Sequence, residues 1–514
     1  MRRFGVAAIM LLVMAVHGAD AVAQPRHPEP APAVNPVRGP ALGQVRGQAG
    51  VAAAGVLLPA PVSSEHTLEL PGRTLHFTAT AGSVPLRGDR GQVLAEISVI
   101  AYRLDSADPR TRPVTFAVNG GPGFSSAWLQ LGGLGPWRLP MEGAARAPSA
   151  PPAVTPNAET WLDFTDLVFI DPAGTGYSRI DATAKEVRQR FWSVGGDISS
   201  LAQAIRLWLD QNGRMPSPKY IVGESYGGFR GPRLVRALAE TQGVGVAGLV
   251  LVSPSLDLDA GSRAFNPLSW AARLPTEVAI ARTAHGPVTR TALADAEAYA
   301  GGDYVVDLVR GLGNPAAVAR VSQHVAALTG LDPALVRQHA GRIDAATFLR
   351  EIDRAEARVA SRYDGTVTMP DPFGSASFAR FPDPVTDALA APLSSAMVAL
   401  YANRLHWRPD APYRLFNAEA NRSWNYGKGG GPQAMFALRT ALALDPRFHV
   451  VVAAGLFDLV VPYFRTQMLL DTIPGPAGGD RVRFVVLPGG HMVYVRDDGR
   501  MALRDAAGQM IGGQ

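Results

Sequence analysis

Gly223-Glu224-Ser225-Tyr226-Gly227 sets a serine between two glycines, directly after the short apolar run Tyr220–Val222. Pro232 to Glu240 follows and reads as a helix. A sharp strand-to-helix turn lifts a hydroxyl above a sheet, and glycines on either side leave room for a reacting carbonyl. G-x-S-x-G says little by itself in a chain with 54 glycines. Its placement, and the lack of a second copy, make Ser225 the candidate nucleophile. Such a serine needs a base and an acid, which in this setting follow in the chain order serine, acid, histidine. Asp458 lies just past the run Val450–Ala453, and His491 just past Phe484–Leu487 in Pro488-Gly489-Gly490-His491-Met492. Asp257, after Leu249–Val252, is the rival acid. His285, His324, His339 and His406 fall in or near a helical stretch, and His449 precedes its strand. The remaining need is a donor pair for a developing oxyanion. Val118-Asn119-Gly120-Gly121-Pro122-Gly123 follows a strand-like run, and the N–H groups of Gly121 and Tyr226 are the expected donors. No Walker lysine follows and the spacing is not G-x-G-x-x-G, which argues against a phosphate cradle.

These residues need a scaffold that brings distant loops to one edge. Val114–Val118, Leu167–Ile170, Tyr220–Val222, Leu249–Val252, Val450–Ala453 and Phe484–Leu487 are short, mostly β-branched runs followed closely by Gly, Pro or Asp. Runs of this kind suit strands buried on both faces of a parallel sheet. Val194, Ile198, Leu201, Ala202, Ile205 and Leu209 recur at helical spacing between two of them and predict a crossover helix. The expected fold class is α/β, a doubly wound, mostly parallel sheet. His66–Phe77 and Val93–Tyr102 alternate apolar and polar side chains as half-buried antiparallel strands do. Ala292–Leu308, Ala317–Leu328 and Ala345–Val359 read as helices, so 258–400 is expected to be a helical insertion. It divides the core into 64–257 and 401–514.

Met1-Arg2-Arg3, the apolar run Phe4–Val16 and Ala21-Val22-Ala23 form the pattern of a secretory signal over 1–23, cleaved after Ala23. The run is too short to span a bilayer comfortably, so the expectation is an exported chain, periplasmic or secreted, without stable membrane insertion. Residues 24–63 are rich in Pro, Ala and Gly and read as a linker, with order beginning near Ser64. The chain has no cysteine, which excludes disulfides, thiolate metal sites and a cysteine nucleophile. Net charge is only +5 over 514 residues, and the arginines are dispersed among acids rather than gathered in a block, so nucleic acid is not an expected partner. No metal or other cofactor is called for by the chemistry.

Asn119-Gly120-Gly121-Pro122-Gly123-Phe124-Ser125-Ser126 with Leu134-Gly135-Pro136, Gly223–Gly228, and Gly490-His491-Met492 resemble the signatures of the serine carboxypeptidases, peptidase family S10. Trp161–Asp163 through Asp171-Pro172 and Gly174–Ser178 add to the resemblance, which spans about 66 to 500 with little match in the insertion. Leu456-Phe457-Asp458 with Pro462, and Leu274-Pro275-Thr276, look most like the bacterial branch. The resemblance implies an α/β-hydrolase fold and an acid-tolerant exopeptidase acting on peptides with a free C-terminus. It also implies that Asn119, the Gly120 N–H and Glu224 recognise the terminal carboxylate. A buried glutamate can do so only if it keeps a proton and donates it in a hydrogen bond. Two departures stand out. Gly133 falls where many members carry a second glutamate, and Phe124 where eukaryotic members carry a cysteine. An esterase or acyltransferase on the same triad is therefore the alternative reading. A non-catalytic binding protein is the alternative of another class.

Overall fold

The computed structural model describes residues 58–181, 185–258, 266–374, 381–427 and 433–513. The signal and most of the linker expected from the sequence lie outside the described residues. The strands are β1 Val62–Leu70, β2 Arg73–Arg87, β3 Val93–Leu104, β4 Val114–Val118, β5 Trp137–Arg138, β6 Thr155–Pro156 and β7 Asp166–Ile170. They continue as β8 Arg179–Ile180, β9 Lys219–Glu224, β10 Gly248–Val252, β11 Arg358–Ala360, β12 Thr368–Pro370, β13 His449–Gly455 and β14 Val482–Leu487.

The main sheet runs β1-β2-β3-β7-β4-β9-β10-β13-β14, with β8 paired to β3. From β7 to β14 all pairings are parallel, while β1, β2 and β3 form an antiparallel flank. Every residue of β4, β7 and β10 is buried, as their largely apolar character requires. The chain order reverses about β4, whose neighbours are β7 and β9. In open sheets of this kind, ligands meet the carboxyl ends of the strands beside such a reversal. Register aligns those ends: Val118 pairs with Gly223, Glu224 with Val252, Val252 with Ala453, and Gly455 with Leu487.

One core cluster contains Ile198, Leu201, Ala202, Ile205 and Leu209 of the helix Val194–Gln211 and Leu234 and Leu238 of the helix Tyr226–Gln242. The crossover helix starts where Ser193 Oγ accepts the Gly196 N–H at 3.1 Å. A second cluster holds Leu389, Leu393 and Leu400 of the helix Thr386–Asn403 and Leu503 and Ala506 of Asp497–Ile511. Each fully buried Leu or Ile contributes about 2 kcal/mol through removal of apolar surface from water.

Several sequence expectations need correction. His66–Phe77 is not one strand but crosses a hairpin, with Gly72 at φ 76° in the turn between β1 and β2. Packing begins before Ser64: Leu58 is buried, and Trp407 Nε1 donates to the carbonyls of Pro59 and Ala60 at 3.3 and 3.1 Å. Ala292–Leu308 is broken at Gly302, whose backbone is non-helical. Ala345–Val359 stops as a helix at Glu351, and Arg358–Ala360 instead pairs with Thr368–Pro370. Within the expected insertion, residues such as Leu274, Val278, Val321 and Phe348 cluster with Leu456, Phe457 and Leu459 beyond β13. Its last helix, Thr386–Asn403, belongs instead to the main core. Among the described residues no helix is long and apolar enough to cross a membrane.

Candidate active site

Ser225 occupies the turn between β9 and the helix Tyr226–Gln242, with φ 59° and ψ −119°. A non-glycine residue held there stores on the order of 1–3 kcal/mol of backbone strain. Three hydrogen bonds pin the turn. Ser225 N donates to the Val252 carbonyl at 2.9 Å, and Ser225 O accepts from Gly228 N at 2.9 Å and Ser255 N at 3.0 Å. Between Tyr220 and Pro232 every residue is buried except Ser225. The strained turn therefore presents one side chain to solvent.

The loop 119–123 lies against this turn. A Cβ on Gly120 would stand 2.6 Å from both Tyr226 N and Glu224 O and 2.9 Å from Ser225 Cβ, so only a residue without a side chain lets the two backbones approach so closely. Gly121, next in the loop, has φ 111°. Asn119 is fully buried and spent in three directions: its Nδ2 donates to Glu224 Oε2, its Oδ1 accepts from Leu129 N at 2.9 Å, and its carbonyl accepts from Arg230. Arg230 is itself anchored by Asp197 at 2.6 Å, a buried pair beneath the site.

The second half comes from the far strands. Asp458 Oδ1 accepts the Val460 and Val461 N–H groups at 2.8 and 2.9 Å, leaving Oδ2 2.8 Å from His491 Nδ1. The loops carrying these two residues interlock, because a Cβ on Gly455 would collide with the Gly490 carbonyl. The Tyr363 ring meets the imidazole edge to face, with centroids 5.6 Å apart. The other imidazole nitrogen, Nε2, stands 3.4 Å from Glu224 Oε1. No hydrogen bond joins Ser225 Oγ to His491. Asp257, the rival acid, is not paired with His491; its carbonyl accepts from Arg465 and its backbone bridges to Gln433. Among the other histidines, His324 stacks on Tyr299 at 4.2 Å within the insertion.

The charges are tightly coupled. Burial pushes the Glu224 carboxyl above its ordinary range, against the pull of His491, the Asn119 amide and the Gly120 N–H, with Asp458 adding to the rise. Burial opposes charge on His491, but Asp458, by charge and hydrogen bond, and then Glu224 outweigh it and hold the imidazole above its ordinary value. A proton is thus retained on the Glu224–His491 pair to higher pH than either group would manage in water. Among the described residues no cluster of His, Asp and Glu has the makings of a metal site.

Residues 100–280 match the family described as serine carboxypeptidase. The matched stretch includes Asn119 to Gly121 and Glu224 to Tyr226 but neither Asp458 nor His491. Serine carboxypeptidase-like 27 of Arabidopsis thaliana is 29% identical over 181 residues, covering 33% of this chain and 36% of the relative. The pheromone-processing carboxypeptidase KEX1 of Yarrowia lipolytica is 32% identical over 149 residues, covering 28% of this chain and 22% of the relative. The chain thus spans well under half the length of these serine carboxypeptidase relatives. A solved thermophilic esterase from Thermogutta terrifontis is 14% identical, with a TM-score of 0.34, over 84% of this chain and 98% of the esterase.

Sequence reasoning did not single out Tyr363 or Tyr494. Tyr494 follows His491 by three residues in His491-Met492-Val493-Tyr494 and was within reach of a motif reading. Tyr363 was not, since it arrives from the turn between β11 and β12.

Proposed function

We propose that the protein is an exported serine carboxypeptidase of the bacterial branch of its family, working by acyl transfer through Ser225. The observation that carries this reading is the placement of His491: Nδ1 lies 2.8 Å from Asp458, while Nε2 lies 3.4 Å from Glu224, the residue adjoining the serine. Ser225 Oγ attacks the scissile carbonyl and its proton passes to His491 Nε2, which returns it to the leaving amine. Asp458 fixes the imidazole with its proton on Nδ1 and stabilises the imidazolium. The N–H groups of Gly121 and Tyr226 receive the oxyanion, each such donor being worth about 3 kcal/mol. Water then cleaves the acyl-enzyme by the same route in reverse. Asn119, Gly120 and protonated Glu224 receive the substrate's terminal carboxylate. In the free protein Nε2 faces Glu224 instead of the serine, and a short rotation on substrate entry brings base and nucleophile together, as such bonds commonly tighten only in the complex. Export rests on the signal-like sequence of residues 1–23.

Gly133 favours a second reading, an esterase or acyltransferase with the same acyl-enzyme chemistry. Hydrolysis of an N-blocked dipeptide compared with its C-terminal amide separates the two. Strong preference for the free acid supports the carboxypeptidase, and indifference to amidation overturns it. A fluorophosphonate probe that labels the wild type but not Ser225→Ala establishes the nucleophile, and failure to label removes it.

A further inference from the structure

Tyr494 is a fully buried residue whose hydroxyl oxygen has no hydrogen-bond partner of ordinary geometry. Buried hydroxyls are as a rule paired, so an orphan at a candidate site calls for a role. It lies in the 3-10 turn Val493–Val495, directly after His491 and Met492. Its ring rests on Gly132 and Gly133. A Cβ on Gly133 would stand 2.8 Å from Tyr494 Cβ, and one on Gly132 would stand 2.7 Å from the ring edge. Any larger residue at either glycine would displace the tyrosine. The hydroxyl end reaches the Asn119 side chain and lies within the field of Glu224.

We propose that Tyr494 is a positioning residue of the carboxylate-binding corner, its ring filling the space that Gly132 and Gly133 leave open and its hydroxyl steadying the Asn119 side chain that holds Glu224. The proposal rests on the functional reading above for the use of that corner. The placement of the hydroxyl holds without it. Three things follow from the contacts. The tyrosine comes from the same loop as the base, so it ties the position of His491 to that of Asn119. It is fully buried, so it acts through its neighbours and does not touch substrate. Its hydroxyl meets the Asn119 side chain, whose amide donates to Glu224, so it acts on Glu224 through Asn119. Glu224 is faced by His491 and Asp458, and it acts in turn on Tyr363 and Tyr494.

The test is Tyr494→Phe, which removes one oxygen and keeps the ring on the glycines. The rate of Ser225 labelling by a fluorophosphonate, measured across pH, reads the titration of His491 and its partner Glu224 without any peptide. Loss of the hydroxyl loosens the Asn119 amide that donates to Glu224 and lets Glu224 hold its proton to higher pH. It then supports the imidazolium less, and the acid limb of the labelling profile moves to lower pH. On an N-blocked dipeptide, KM for the free acid rises about threefold to tenfold, the worth of one hydrogen bond, with a smaller change for the amide. Gly133→Ala, which pushes the ring while keeping the hydroxyl, moves both readouts the same way and guards against a folding defect in the first variant. A labelling profile unchanged in Tyr494→Phe overturns the proposal. Indifference of the wild type to amidation overturns the carboxypeptidase reading instead, and the labelling profile then still decides the role of Tyr494.

Discussion

Oε1 of Glu224 lies 3.4 Å from Nε2 of His491, which makes the residue before Ser225 an electrostatic partner of the imidazole. Both groups are held above their ordinary titration ranges, Glu224 by burial and His491 by Asp458 and Glu224 against burial. Two limbs follow for a free-acid peptide. Activity rises with pH as His491 loses its proton, with a midpoint above that of a free imidazole, and falls as Glu224 gives up its proton. Glu224→Gln keeps a donor that cannot titrate, so the profile of kcat/KM for the free acid should lose its alkaline limb. Persistence of that limb would assign it to another group.

Asp458 holds His491 through one oxygen while two backbone N–H groups hold the other. Asp458→Asn is expected to lower kcat on the order of 10⁴-fold, because the imidazole loses the partner that sets its tautomer. Asp257→Asn should leave kcat within a few-fold. Steady-state kinetics on both variants check the assignment, and a crippled Asp257→Asn would reverse it.

Gly120 tests how closely the loop must seat on the turn. Alanine there would place a methyl 2.6 Å from Tyr226 N. We expect Gly120→Ala to lower kcat about 10²-fold by shifting the loop by a fraction of an ångström to an ångström, with the thermal midpoint reduced far less than by a core truncation. Parallel kinetics and thermal melts decide between local and global damage.

Two buried carboxyls away from the triad predict how stability varies with pH. Burial raises Asp171 to about 6 and Glu277 to about 7. Both values lie above those of the unfolded chain, so their favourable contribution is complete below about pH 4 and is lost as pH rises through about 6 and 7. Each shift corresponds to about 3 kcal/mol at most. Asp171→Asn and Glu277→Gln should flatten the fall of the melting temperature between pH 4 and 8. An unchanged slope in the double variant would show that other groups set it.

The sheet was legible because its strands are buried on both faces, which forces largely apolar runs such as Val114–Val118 and Leu249–Val252. The crossover helix was legible because one face alone is buried, and Ile198, Leu201, Ile205 and Leu209 mark it. The hairpin between β1 and β2 was obscured because alternation continues on both sides of Pro71-Gly72. The pairing of β11 with β12 depends on contacts made by three residues in each strand, too few to leave a period. The proximity of Ser225, Glu224, Asp458 and His491 could be argued from their places at strand ends. The facing of Nε2 toward Glu224, and the seating of Tyr494 on Gly133, could not. They depend on rotamers and on a missing side chain, and spacing carries neither.

Strand β14 takes the outer place beside β13, and the loop leaving it holds His491. A chain stopped short of residue 482 would already contain the serine and its turn, yet would lack the proposed proton acceptor. On the proposed reading, reactivity therefore waits on the final strand in chain order, and a truncated molecule is chemically silent.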